Sequence, residues 1–77
     1  MFILFKSVGT VYGEDEKILG VSNSLLTLIE LAEQDADVPL DWWQTHDGIT
    51  AGYRIDNAAS GLPAWVTYSI EAHEVLP

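Results

Sequence analysis

The sequence predicts an α+β fold of two layers, in which an antiparallel sheet of arrangement ββαββ has one helix packed on one face. Three patterns predict it: an apolar N-terminal stretch, a central stretch with helical spacing, and two later stretches that alternate between apolar and polar residues. Because 77 residues is the size of one domain, we expect a single domain over residues 1–77.

The N-terminal residues predict a β-hairpin. Residues Phe2 to Tyr12 are largely apolar, aromatic or β-branched, and the run ends at Gly13-Glu14-Asp15-Glu16, which has the composition of a turn. Lys17 to Val21 is then expected to return as a second strand. The acids of this turn are either solvated, as charge runs in turns usually are, or contact a partner.

The central stretch predicts one amphipathic helix over about Asn23 to Asp35. Ser22 and Ser24 are good N-cap residues, and Pro39 disfavours helical geometry at the residue before it. The apolar face comprises Leu25, Leu28, Ile29 and Ala32, and the polar face comprises Glu30, Glu33, Gln34 and Asp37.

The second half predicts two more strands. Leu40 to Gly48 has no regular pattern, whereas Ile49 to Asp56 alternates with the period of a half-buried strand. Asn57 to Pro63 is rich in turn-forming residues, and Val66 to His73 alternates again. A single helix leaves one face of the sheet uncovered, so we expect that face to be solvated, to dimerise or to bind a partner.

The charge composition favours a basic protein as partner. The chain has 12 Asp and Glu against 3 Lys and Arg, a net charge of −9, and such a field repels nucleic acid and anionic membranes. Lys6, Lys17 and Arg54 are too few to bind DNA or RNA directly. We therefore expect a basic nucleic-acid-binding protein as partner, with no direct nucleic acid and no membrane.

The composition also favours a cytoplasmic location. The absence of cysteine excludes a disulfide framework and a thiolate metal site. The apolar opening, Phe2 to Phe5, is shorter than a signal-peptide core of about 7–15 residues or a membrane span of about 20.

The helix end and the residues after it form the candidate binding surface. Carboxylates near a helix C-terminus oppose the helix dipole, which normally favours Lys or Arg there. An acidic ridge therefore either imitates phosphates and binds basic side chains, or is a solvated face. The candidate residues are Glu30, Glu33, Asp35, Asp37, Asp41, Trp42 and Trp43.

The tryptophans have two interpretations. Trp42 and Trp43 are adjacent, so in an extended segment only one enters the core easily and the other is expected at the surface. An exposed tryptophan flanked by acids suits a basic groove, whereas the alternative is that both cover a small core. Trp65 falls on the polar side of the last strand, where it either binds a partner or packs against residues 57–63.

No pattern indicates catalysis. His46 and His73 each have an acid as sequence neighbour, but adjacency does not make a catalytic pair, and no three ligands have metal-site spacing. Gly48, Gly52 and Gly61 match no phosphate-binding motif. We expect no catalytic residue, metal or cofactor, and a protein that is not an enzyme.

The order of the predicted segments resembles that of small accessory proteins of bacteriophages and mobile elements. These segments are Phe2 to Tyr12, the acidic turn, Lys17 to Val21, the Ser-led helix and the closing strand Tyr68-Ser69-Ile70-Glu71. Such proteins include acidic inhibitors of host defence, among them anti-CRISPR and anti-restriction proteins, some of which occupy DNA- or RNA-binding surfaces as DNA mimics. The resemblance implies a stoichiometric inhibitor acting in the cytoplasm of a bacterial host cell. It assigns a role to no individual residue.

Three function classes remain. The first is a non-enzymatic acidic protein that binds and inhibits a basic nucleic-acid-binding protein, such as a bacterial defence effector. The alternative is a structural or assembly module of a phage or mobile element that self-associates, as a homodimer or larger, through the uncovered face. A small enzyme using His46 or His73 is the least favoured.

Overall fold

The computed structural model describes residues 1–10, 13–57 and 62–73 of the chain. One antiparallel sheet and one helix make up the regular structure of this part. The elements in chain order are β1 (Phe2–Thr10), β2 (Gly13–Ser22), α1 (Leu25–Ala36), β3 (Trp43–Gln44), β4 (Gly48–Asn57) and β5 (Leu62–Ala72).

The strands lie in the order β2-β1-β5-β4-β3, so the first and last strands pair at the middle of the sheet. Phe2 lies opposite Ala72 and Gly9 opposite Trp65 in the β1–β5 pair, and each of the other pairs is also antiparallel. The terminal strands thus hold each other in place, and Met1 adds a bond from its ammonium group to the carbonyl oxygen of His73 at 3.0 Å.

The sheet has one face toward the helix and one face away from it. On β5, alternate residues Val66, Tyr68 and Ile70 are buried against α1 and its flanking segment. Leu4 and Ala51 lie opposite Ile70 and Tyr68 in the neighbouring strands and are fully buried as well. Leu28, Ala32 and Leu40 complete the core from the other layer.

The helix begins at Leu25, two residues after the predicted start at Asn23, and of the two predicted caps it uses Ser24. The Ser24 hydroxyl accepts a bond from the Thr27 N–H at 3.4 Å, which makes Ser24 the N-cap. At the other end Asp37 adopts the left-handed conformation, φ 58°, and its N–H donates to the Glu33 carbonyl at 2.9 Å. A register shift opposite Leu4 and Phe5 lets Leu19 of β2 also pack toward the core.

The structure confirms the α+β class and the antiparallel sheet with one helix on one face. It does not match the ββαββ arrangement, because a short fifth strand, β3, follows the helix. The interpretation of Leu40–Gly48 as irregular is wrong at Trp43–Gln44, which pairs with Thr50 and Ile49, and at Gly48, where β4 begins.

The turn predicted at Gly13-Glu14-Asp15-Glu16 is also wrong, because these residues lie in β2. They pair with Ser7 to Thr10 of β1, so the second strand is twice as long as expected. The end of the first predicted strand, at residues 11 and 12, lies outside the described residues, as do residues 58–61 of the expected loop. Leu62 and Pro63 of that expected loop belong to β5.

Within the described residues, no helix combines the length and the apolar character that crossing a bilayer requires.

Candidate protein-binding surface

An open depression of about 530 Å³ lies where α1 ends and the chain turns away from it. Three of the candidate acids, Glu30, Glu33 and Asp37, lie around it, and Val38 and Pro39 supply apolar contact surface. The last turn of α1 contains no basic residue, so its free carbonyl groups add to the negative potential. We call this feature the acidic depression; its lining residues are Glu30, Glu33, Gln34, Asp37, Val38 and Pro39.

The walls of the acidic depression are held in place by the fold. The Glu33 carboxylate accepts a bond from the Leu40 N–H at 3.2 Å, which ties the segment after the helix back to the helix. Leu40 itself is buried in the core. Asp37 tolerates its left-handed backbone because a short polar side chain reduces the steric cost of that conformation. The Glu33 carboxylate is thus held by a backbone N–H group rather than by a cation, and keeps its charge.

Asp35 lies away from the acidic depression and binds to the sheet. Its carboxylate accepts bonds from Lys6 Nζ at 2.7 Å and from the Tyr68 hydroxyl at 2.6 Å. The bond from Lys6 and then that from Tyr68 hold the pKa of Asp35 below its usual value. Burial, and next the bond to Asp35, raise the pKa of Tyr68. The structure thus uses Asp35 to join α1, β1 and β5.

The remaining three candidates do not line the acidic depression. Asp41 is exposed, Trp42 packs against the core, and Trp43 is 54 % exposed on β3. The expectation that only one of the two adjacent tryptophans enters the core is confirmed. The Trp42 Nε1–H is buried and has no hydrogen-bond partner among the described residues.

The sheet face opposite α1 has no helix or strand packed on it in the described part of the chain, and we call it the open face. Its β1–β2 side is apolar at one end, where Ile3 lies opposite Val21 and Phe5 opposite Ile18, and acidic at the other, where Glu16 and Glu14 lie. Ile18 and Val21 are 59 % and 52 % exposed. The β4–β5 side is more polar, and Thr50 bonds there to Ser69 and to the Tyr68 carbonyl.

One row across the open face joins all four long strands: Arg54, Trp65, Gly9 and Glu14 lie side by side in that order. Trp65 is 47 % exposed, and the Arg54 guanidinium lies 5.7 Å from its ring centroid. The placement of Trp65 on the uncovered face is as the sequence indicates. Its expected contact with residues 57–63 involves a loop that lies mostly outside the described residues.

Sequence reasoning missed the apolar lining of the acidic depression and the apolar side of the open face. Val38 and Pro39 were interpreted only as helix-ending residues, although an apolar pair between acids is a usable signal. The sequence did not indicate that Ile18 and Val21 share a face, because residues three apart in a regular strand point to opposite faces. The register shift in β2 places both on the open face.

The histidines are exposed. His73 Nε2 lies 3.2 Å from Glu71 Oε2, while His46 is in the segment between β3 and β4. No group of three or more metal-binding side chains occurs among the described residues.

Comparison of the chain with known protein families, with curated proteins and with solved structures gave no significant match.

Proposed function

We propose that this protein binds and blocks a basic nucleic-acid-binding protein by accepting an Arg or Lys side chain in the acidic depression. The observation that carries the proposal is the geometry of this depression, with Glu30, Glu33 and Asp37 around an apolar surface of Val38 and Pro39. A long basic side chain has the matching chemistry, because its stem is apolar and its head is charged.

Electrostatics supports a partner that itself binds nucleic acid. With a net charge of −9, the protein attracts the same positive surfaces that attract phosphates. Binding there excludes the nucleic acid by competition, and the protein then acts as a stoichiometric inhibitor rather than an enzyme. A bacterial defence effector is the target that the resemblance to phage accessory proteins favours.

The test is capture of partners from a bacterial lysate on three tagged forms of the protein. The first is the wild type, and the second carries Glu30→Gln with Asp37→Asn, which removes two charges from the acidic depression. The third carries Asp15→Asn with Glu16→Gln, which removes two charges from exposed positions of β2. The last two have the same net charge, so only the position of the lost charges differs.

We expect one nucleic-acid-binding protein to be retained in stoichiometric amount by the wild type and by the β2 variant, and to be lost from the depression variant. Its own DNA or RNA displaces it, and retention weakens at high salt because exposed charge pairs are screened. Equal retention by all three forms, or no nucleic-acid-binding protein on any of them, contradicts the proposal.

A further inference from the structure

We infer that the open face pairs with the open face of a second copy of this chain, forming a sandwich of two sheets with the helices outside. The acidic depression lies on the helix layer, on the other side of the sheet, so this interface goes beyond the proposed function and leaves that site free. Faces of this kind pack with their strands nearly aligned, with the sheets about 10 Å apart.

The charges on the open face are self-complementary in one arrangement. A two-fold axis parallel to the strands and between β1 and β5 places each β4 opposite β2 of the second copy. Arg54 and Glu14 lie in the same row of the sheet, at equal distances on the two sides of this axis. Each Arg54 therefore meets Glu14 of the second copy, and the interface contains this ion pair twice.

The shape of the same row is self-complementary as well. The axis that joins Arg54 to Glu14 also places Trp65 opposite Gly9 of the second copy. A β-carbon built on Gly9 would have only the Trp65 carbonyl oxygen within 4 Å, at 3.9 Å, among the described residues. The glycine thus leaves a notch in the sheet surface, and the half-exposed indole ring of Trp65 is the side chain that fills it.

The apolar corner of the open face supplies the hydrophobic part of the interface. Ile18 and Val21 of β2 and Trp43 of β3 are each more than half exposed, and the same axis places β2 of one copy near β3 and β4 of the other.

The carboxylates of the acidic depression oppose association only weakly at physiological salt. The carboxylates of the acidic depression lie on the far side of the sheet, so two copies hold them apart by more than the Debye length of about 8 Å. On the open face Arg54 shares its row with Glu14, whereas Glu16 and Glu71 lie in other rows, and Glu71 Oε2 is 3.2 Å from His73 Nε2.

The experiment is sedimentation velocity of the purified full chain from micromolar to millimolar concentration, with charge-reversed variants. We expect a monomer–dimer equilibrium in the wild type. Arg54→Glu and Glu14→Arg should each raise the dimer dissociation constant by about tenfold or more, and the double variant should restore dimerisation because the pair is reformed with its signs exchanged. Glu30→Arg, a reversal on the helix layer, is the matched control and should leave dimerisation unchanged.

A second variant tests the notch without changing charge. Gly9→Ala adds a β-carbon that the monomer has room for, since its nearest neighbour among the described residues would be the Trp65 carbonyl oxygen at 3.9 Å, so circular dichroism should show a folded protein while the dimer weakens. A wild type that stays monomeric at every concentration overturns the inference. So does a dimer that is insensitive to Arg54, Glu14 and Gly9 substitutions.

Discussion

The carboxylate of Asp35 has a structural role. It joins the helix to the two central strands through Lys6 and Tyr68, and Lys6 Nζ also lies 5.7 Å from the Tyr68 ring centroid. The Tyr68 ring stacks on Tyr53 with centroids 6.4 Å apart, so the hydroxyl is fixed where it meets Asp35. Stability therefore depends on the charge state of this residue.

We expect Asp35→Asn to lower the free energy of unfolding at neutral pH by about 1 kcal/mol, because it removes a charged acceptor from two donors at a partly exposed site. The pKa of Asp35 is lower in the folded state than its ordinary value of 3.8, so the ionised carboxylate stabilises the fold. This contribution is fully present above pH 3.8 and is lost as the pH falls through the pKa that Asp35 has in the folded state. Urea unfolding between pH 7 and pH 2.5 should thus show a shallower acid loss in Asp35→Asn than in the wild type.

The matched control for this prediction is Asp41→Asn, which removes one charge at an exposed position after the helix. This variant should lose as much free energy of unfolding between pH 7 and pH 2.5 as the wild type does. Identical pH profiles for the wild type and Asp35→Asn would mean that the contact of Asp35 with Lys6 and Tyr68 contributes nothing in solution.

The close approach of α1 to β2 depends on Gly20. A β-carbon at this position would lie 2.9 Å from Leu31 Cδ2 and 3.3 Å from Leu28 Cδ2. Leu28 is fully buried, whereas Leu31 is 37 % exposed and has room to move. The absence of a side chain at Gly20 thus sets how close the helix lies to the sheet.

We expect Gly20→Ala to change the free energy of unfolding by less than about 1 kcal/mol, because Leu31 moves aside and the strand gains from losing a glycine. Gly20→Val should lower the free energy of unfolding by about 1–3 kcal/mol, because its two γ-methyl groups add volume beside Leu28, which is fully buried and would already lie 3.3 Å from the β-carbon. Chemical denaturation of the three proteins checks this, and equal stability of the Ala and Val variants would show that the helix does not pack tightly here.

Local patterns predicted most of the elements. The chemistry of serine narrowed the N-cap to Ser22 or Ser24, of which the structure uses Ser24, and the alternation in β4 and β5 identified their buried faces. Glu14, Asp15 and Glu16 were assigned to a turn because acids favour turns locally, whereas pairing with β1 outweighs that preference. Trp43 and Gln44 form a strand only through β4, which no local pattern encodes.

The candidate site was predictable in part. The charge of the helix end is visible in the sequence, so Glu30, Glu33 and Asp37 were identified together, and the structure places them around one depression. The separation of Asp35 from them depends on Lys6, 29 residues away, and on Tyr68, 33 residues away. Contacts at that sequence distance are set by the tertiary fold.

The whole molecule carries a net charge of −9 on 77 residues, and this repulsion opposes the compact state. We expect its melting temperature to rise when NaCl is increased from about 10 mM to about 500 mM, since the Debye length falls from about 30 Å to a few ångströms. A gain of about 1 kcal/mol corresponds to about 4–8 °C for a domain of this size, measured by thermal unfolding followed by circular dichroism.

A variant with Asp15→Asn and Glu16→Gln should respond less to salt, because it has two fewer charges to screen. A melting temperature that falls with salt would instead show that attractive pairs such as Lys6–Asp35 outweigh the repulsion.

The acids of β2 also affect whether further chains can add to the edge of the sheet. An open strand edge presents a row of backbone donors and acceptors that other chains readily extend into fibrils. At one edge of this sheet β3 is two residues long, and at the other β2 carries three successive carboxylates, which repel the same strand of another molecule. Growth by adding strands is therefore disfavoured at the β2 edge, whereas β4, within the described part of the chain, keeps an unpaired edge beyond the two residues that pair with β3, so any fibril contact of this chain would start there.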